Sequence, residues 1–347
     1  PTATLCNVCT VYTDWTYIAS TADFMAISAA VAGDYVVVTS TDSITCLNRL
    51  TGAYVWSAGG YPYCIGDVRG TPTIDLADNA VYVGGSAAQA FTKYNLTTGA
   101  VVWSRNLGGG ADVPLLPGNT SWTGSIVSDG YVYFTNETGS VYKLDVTNGV
   151  DAAGSPLALP DAPDAVAYNA MTSDGTNLYV GTADAIGTAG NIHEIDMATM
   201  AINWTLNGPG NIFYPGGVGD PDFDPYSPEG FPGSMAIEDG ILYYHSQIRN
   251  DGNGFLHFPQ TGSVGAIDIA LEDGSGNGIL WVNDAQSETA ASPGLTPAST
   301  YNFSGPAIGP GMVYLNSRGF FGCVTEQDGQ SAWHKTLGLR VGFSGYT

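Results

Sequence analysis

The chain has 347 residues, of which 44% are hydrophobic, enough to bury a sizeable core as one large all-β domain or two average ones. Nine Lys and Arg stand against 32 Asp and Glu, and the resulting formal charge of −23 excludes nucleic acid and anionic membrane surfaces as partners. No apolar run reaches the roughly 18 residues that a spanning helix requires, so no membrane insertion is expected.

The chain opens at Pro1, read here as the start of a mature protein whose export signal has been removed. Residues 4–15 read "TLCNVCTVYTDW", with Cys6 and Cys9 three apart and Trp15 after a strand-like run. Haem attachment is excluded because Thr10 stands where His is required. Zinc needs a second ligand pair that the scattered Cys and His do not supply, and thioredoxin chemistry needs a βαβ context that is absent. Structural disulfides are the reading adopted, with Cys6 or Cys9 tied to Cys46, Cys64 or Cys323. Five cysteines cannot all pair within one chain, which leaves one free thiol or one bridge between subunits.

From residue 24 onward no stretch keeps apolar residues at helical spacing for three turns. Instead a unit recurs: an Asp/Asn/Gly turn, a Val- and Tyr-rich strand, a second strand, a Thr-Gly turn, then Trp four residues later. Its copies are "AGDYVVVTSTDSITCLNRLTGAYVW", "ADNAVYVGGSAAQAFTKYNLTTGAVVW", "SDGYVYFTNETGSVYKLDVTNG", "SDGTNLYVGTADAIGTAGNIHEIDMATMAINW", "EDGILYYHSQ…GSVGAIDIALEDGSGNGILW" and "GPGMVYLNSRGFFGCVTEQDGQSAW". Trp15, Trp56, Trp103, Trp204, Trp281 and Trp333 hold the recurrent Trp position, and the third copy lacks it. Their expected role is structural: each indole wedges against the neighbouring unit.

Across residues 24–337 these copies resemble the repeats of the PQQ-like (quinoprotein-type) β-propeller family, with its DG turn, "LYVGT"- and "LYALDA"-like strands, TG turn and Trp. The resemblance implies four-stranded blades stacked radially, hence an all-β single-domain propeller over residues 1–347. A propeller must close, or its end blades expose unpaired edges. Residues 1–20 read as the outer strands of a closing blade and 338–347, "GLRVGFSGYT", as its inner strand, giving seven blades. That closing blade counts three strands where the others have four. Either it is three-stranded, or a strand from a neighbouring copy completes it and propagates head-to-tail assembly.

Between the fourth and fifth copies, "GDPDFDPYSPEG" alternates Asp220, Asp222 and Asp224 ahead of Glu229, a partial match to the oxygen-ligand logic of a Ca²⁺ loop. No other cofactor is called for. The sequons at Asn95, Asn119, Asn136, Asn203 and Asn302, together with scarce lysine, point to a glycosylated protein that is extracellular or at the cell surface. His193, His245, His257 and His334 lack metal-ligand spacing, and no G-x-S-x-G, Walker or H-E-x-x-H motif is present.

The functional expectation is therefore a non-enzymatic secreted propeller that associates with copies of itself as a structural subunit of a filament or surface layer. Two alternatives remain open at this point. One is a PQQ-dependent quinoprotein dehydrogenase, although such enzymes are longer and carry an adjacent Cys-Cys pair absent here. The other is a monomeric scaffold or carbohydrate-binding propeller.

Overall fold

Short runs of Val, Tyr, Ile and Leu cannot supply a helix stripe, but extended between tight turns they fill both faces of a strand buried between two layers. The computed structural model of the chain follows that logic. It describes residues 15–17, 29–39, 43–59, 71–85, 90–107, 124–136, 139–160, 165–166, 171–184, 190–207, 231–248, 261–284, 306–317 and 320–336, and among them every regular element is a β-strand.

Six antiparallel sheets follow one another, one for each repeat. The first holds β1 (Ala30–Ala32), β2 (Tyr35–Thr39), β3 (Ser43–Asn48) and β4 (Tyr54–Gly59). The second holds β5 (Thr73–Asp75), β6 (Ala80–Gly85), β7 (Ala90–Asn95) and β8 (Val101–Asn106). In the third, β9 (Ile126–Ser128), β10 (Tyr131–Thr135) and β11 (Ser140–Asp145) end on a two-residue strand, β12 (Leu157–Ala158). In the fourth, β13 (Ala165–Val166) and β14 (Thr172–Ser173) share the inner edge of β15 (Asn177–Asp184), followed by β16 (Gly190–Asp196) and β17 (Ile202–Asn207). The fifth holds β18 (Phe231–Glu238), β19 (Ile241–Ile248), β20 (Thr261–Asp268) and β21 (Ile279–Asp284). The sixth holds β22 (Ala307–Gly309), β23 (Met312–Ser317), β24 (Phe320–Thr325) and β25 (Ser331–Thr336).

Successive innermost strands lie side by side, β1 by β5, β5 by β9, β14 by β18 and β18 by β22, which is the radial stacking of a β-propeller. The seventh, closing blade expected from both termini falls on residues of which only 15–17 are described.

Turn chemistry sets the hairpins. Asp129-Gly130 (φ 51° and 80°) and Asp239-Gly240 (φ 50° and 78°) each place two left-handed residues between inner strands, the signature of a two-residue turn whose twist matches the sheet. Between the third and fourth strands of five sheets the register shifts at one repeat position: Cys46/Leu47, Lys93/Tyr94, Glu194/Ile195, Ala266/Ile267 and Cys323/Val324. Such a bulge re-aims the residue beside it. The core lies between sheets, where Phe91 of the second stacks on Phe134 of the third at 3.8 Å, and Phe134 stacks in turn on its cross-strand partner Tyr142 at 4.9 Å.

Candidate functional site

The recurrent tryptophans are docking residues. Trp15, Trp56, Trp103 and Trp281 each donate the indole Nε1–H to a backbone carbonyl one sheet further on: Arg49, Leu96, Val146 and Glu326, at 2.8, 2.6, 2.9 and 2.8 Å. Each of these carbonyls follows the Asn, Asp or Thr that ends its third strand. Beneath each indole sits the turn glycine of the receiving sheet, Gly52, Gly99, Gly149 and Gly329, at φ between 67° and 72°. A Cβ there would lie 2.5, 2.6, 2.8 and 2.3 Å from the ring, so the close approach and the left-handed backbone both demand glycine. Trp15 thus stands to the first sheet as Trp56 stands to the second.

The third sheet has no such tryptophan, and two substitutions take up its work. Lys143, buried at the repeat position of Cys46, donates to the carbonyls of Met197 at 2.8 Å and Ala198 at 3.0 Å. Met197 holds the place of Leu96 and Val146 in its turn, so an ammonium replaces the indole N–H as donor. Tyr133 adds a second bond to the Met197 carbonyl at 3.2 Å, and the Lys143 Nζ lies 4.5 Å from the Tyr131 ring centroid. With no indole to receive, the fourth sheet's turn carries Met200 (φ 59°) in place of glycine, and its side chain packs against Gly154. Lys93, one sheet earlier, pairs with Asp78 and donates to the Val146 carbonyl at 2.8 Å, while Arg105 reaches Asp151 of the third sheet. In a chain of nine basic residues, three tie the second, third and fourth sheets together. Their alignment on the Cys46 position was the signal in the sequence that could have found Lys93 and Lys143.

Much of the negative charge has a local purpose. Asp75, Asp145, Asp174, Asp196, Asp268, Glu272, Asp273 and Asp328 each accept backbone N–H groups of their own turns. Glu272 is buried and accepts four, from Asp273, Gly274, Gly276 and Gly278. Burial pushes the Asp174 carboxyl up, but the N–H groups of Asn177 and Thr176 and the Tyr179 hydroxyl hold it net below the ordinary carboxylate value. The Thr199 hydroxyl, then its N–H, lowers Asp196; Ser275 lowers Asp273 in the same order. Glu326 is the exception: burial, then the charges of Glu238 and Asp239, raise it, and its Oε1 is buried without a hydrogen-bond partner. Among the described residues no three His, Cys, Asp or Glu side chains converge as metal ligands.

Cys46 and Cys323 face Trp56 and Trp333 across their strands and are both buried free thiols, so the disulfides expected at these two positions are not formed. Cys46 points into the packing between the first and second sheets, and Cys323 is fully buried beside Met312; burial pushes the Cys46 thiol up to about 11 and raises Cys323 too. Cys6, Cys9 and Cys64 lie outside the described residues, as do Asp220, Asp222, Asp224 and Glu229 of the expected Ca²⁺ loop, and Asn119 and Asn302. Asn136 is buried and its Oδ1 accepts the Ser140 N–H, which leaves a glycan no room. Asn95 caps its own turn through Oδ1. Asn203 uses the nitrogen a glycan would take to donate to Asn177 and Glu194. His193 is buried between the hydroxyls of Thr182 and Thr205.

Antiparallel order sends connections alternately to two faces. One face carries short turns such as 33–34, 129–130 and 239–240. At the rim, each sheet ends on an outer strand whose far edge pairs with no other strand among the described residues. Those edges are almost free of charge: β4 and β17 have none, β8 only Arg105, β21 only Asp284 and β25 only Lys335. Val55, Val102 and Leu280, at the same repeat position just before Trp, are exposed there.

Comparison with known proteins fits this architecture. The quinohemoprotein alcohol dehydrogenase of Comamonas testosteroni superposes with a TM-score of 0.60 over 89% of this chain and 59% of its own, at 13% identity. The quinohemoprotein alcohol dehydrogenase ADHIIG of Pseudomonas putida HK5 gives 0.57 over 89% and 58%, at 13% identity. The present chain thus spans somewhat over half the length of either enzyme, and at these identities the likeness is one of fold. BamB from Moraxella catarrhalis aligns over 91% of this chain and 88% of its own at 15% identity, with a TM-score of 0.48. A search of curated protein sequences returns no match. A family model of PQQ-type repeats, described as outer membrane protein assembly factor BamB, matches residues 21–206, more than half of the chain, and the protein therefore belongs to that β-propeller family.

Proposed function

We propose that the protein is a non-enzymatic propeller, extracellular or at the cell surface, that associates with copies of itself as the subunit of a filament or layer. The observation that supports this reading is the rim. Natural sheets guard open edges with charge or proline because an unguarded edge pairs with another chain. Here a chain of charge −23 leaves its outer strands nearly uncharged and sets Val55, Val102 and Leu280 on them. A second copy presenting the same edge would add backbone hydrogen bonds and bury those side chains.

Sedimentation velocity over a range of concentrations tests the reading. The wild-type chain is expected to form species larger than the monomer, and the triple variant Val55→Lys, Val102→Lys, Leu280→Lys to stay monomeric with an unchanged β-type circular dichroism spectrum. A wild-type chain that is monomeric throughout overturns it. Dye-linked alcohol oxidation on adding PQQ and Ca²⁺ would establish the dehydrogenase alternative instead.

A further inference from the structure

The turns that join third to fourth strands repeat one device. A side-chain oxygen at the end of the third strand accepts N–H groups of the turn: Asn48 from Leu50 and Thr51, Asn95 from Thr97 and Thr98, Asp145 from Thr147, Asp196 from Thr199 and Asp268 from Ala270. Every one of these bonds goes to Oδ1, and Asp serves as well as Asn. The turn therefore does not need the second terminal atom of that side chain, Oδ2 in Asp or Nδ2 in Asn.

Among these turn positions Asn95 alone opens an Asn-x-Thr sequon, Asn95-Leu96-Thr97. Its Oδ1 accepts the Thr97 and Thr98 N–H groups at 3.1 and 2.9 Å and the Thr98 hydroxyl at 3.0 Å, while its Nδ2 donates to nothing among the described residues. A sugar linked at Nδ2 leaves Oδ1 and one N–H in place, so the cap survives the modification. Thr97 is exposed, and its hydroxyl meets Asn79 Oδ1 at 2.8 Å in the turn between β5 and β6, which puts the sequon on the face of the short turns. The other two described sequons do not offer this. Asn136 is 1% exposed. The Nδ2 of Asn203 gives its two hydrogens to Asn177 at 3.2 Å and to the buried Glu194 at 2.8 Å, so a sugar there removes a donor.

We infer that Asn95 carries an N-linked glycan. In the transfer, Nδ2 attacks the anomeric carbon of an oligosaccharide borne on a polyprenyl pyrophosphate; the N–C1 bond forms and the bond from C1 to the pyrophosphate oxygen breaks. The lipid pyrophosphate leaves with the bonding electron pair, the amide gives one proton to a base of the transferring enzyme, and nothing is oxidised or reduced. The inference rests on the extracellular or surface location proposed above and not on self-association, since it concerns a turn rather than the outer strands.

Peptide mass mapping of the full chain, isolated from the cells that make it after separating medium and surface from cytosol, tests it. Cleavage after Lys93 and Arg105 releases residues 94–105, which hold Asn95 and no other sequon. In the exported chain this peptide should carry a glycan and yield sugar oxonium ions on fragmentation, and Asn136 should be unmodified. Asn95→Asp, which keeps Oδ1 for the cap as Asp145 and Asp196 do, should fold with an unchanged circular dichroism spectrum and lose the mass of that glycan. An exported chain with an unmodified 94–105 peptide overturns the inference and leaves the location standing. A chain found only in the cytosol overturns both. A glycan that persists on Asn95→Asp sits on a threonine oxygen and likewise overturns the assignment to Asn95.

Discussion

Lys143→Met separates a lysine that docks from one that merely fills space, because methionine retains most of the apolar stem and removes only the ammonium. The wild-type Nζ makes two buried charge-assisted bonds, to the Met197 and Ala198 carbonyls at 2.8 and 3.0 Å, and lies over the Tyr131 ring. Charge-assisted bonds contribute about 1.5–3 kcal/mol each and a cation–π contact about 0.5–1 kcal/mol, while the dehydration of a buried ammonium offsets part of the sum. The Met197 carbonyl keeps the Tyr133 hydroxyl, so only the Ala198 carbonyl loses its lysine donor outright. The net loss should be about 2–4 kcal/mol, or a fall in Tm of about 5–10 °C at roughly 2–3 °C per kcal/mol. Urea titration and scanning calorimetry measure both. In a double-mutant cycle with Tyr133→Phe the combined loss should exceed the sum, since the Met197 carbonyl is then stripped of both donors. A Lys143→Met chain within about 0.5 kcal/mol of wild type would refute the docking role.

Three further outcomes follow from the ionisable groups. Glu326 has its carboxyl pKa raised from 4.5, first by burial and then by Glu238, so ionising it opposes folding; Glu326→Gln should raise Tm at pH 7, and the gain should vanish below about pH 4, where both side chains are neutral. Asp174 is held below 3.8, so its stabilisation is present above that value and is lost as pH falls through the folded pKa; the destabilisation caused by Asp174→Asn should be full at pH 7 and shrink toward nothing in strong acid. Cys46, buried with its thiol pushed up to about 11, should react with a thiol reagent only after denaturation at pH 8; rapid labelling of the native chain would contradict its assignment as an inert core residue.

The repeat made the fold legible because its period is long and its punctuation specific: turn glycine, Trp, and DG hairpins recur at fixed offsets, and each of the six copies became one sheet. The tryptophans could be read as wedges from their spacing, but their partners could not, since a carbonyl one sheet away leaves no mark on side-chain identity. Lys143 and Met200 look unremarkable singly and become informative only when aligned on the repeat, where Lys143 shares the position of Lys93 and Cys46 and Met200 stands where four other turns carry glycine. The cysteines misled as well. Cys46 and Cys323 share a repeat position and are both buried free thiols, while Cys6 and Cys9, expected as their partners, lie outside the described residues. Sequons misled similarly at Asn136, where the local demand for a turn acceptor drew the side chain inward.

Negative-stain imaging of the purified wild-type chain, beside the triple rim variant carrying lysine at positions 55, 102 and 280, tests self-association most directly. The expected result is disc-shaped subunits joined edge to edge in polymers or layers for the wild type and isolated discs for the variant. Isolated discs in both samples at every concentration, or polymers in both, would contradict the assignment of the uncharged outer strands as the assembling surface.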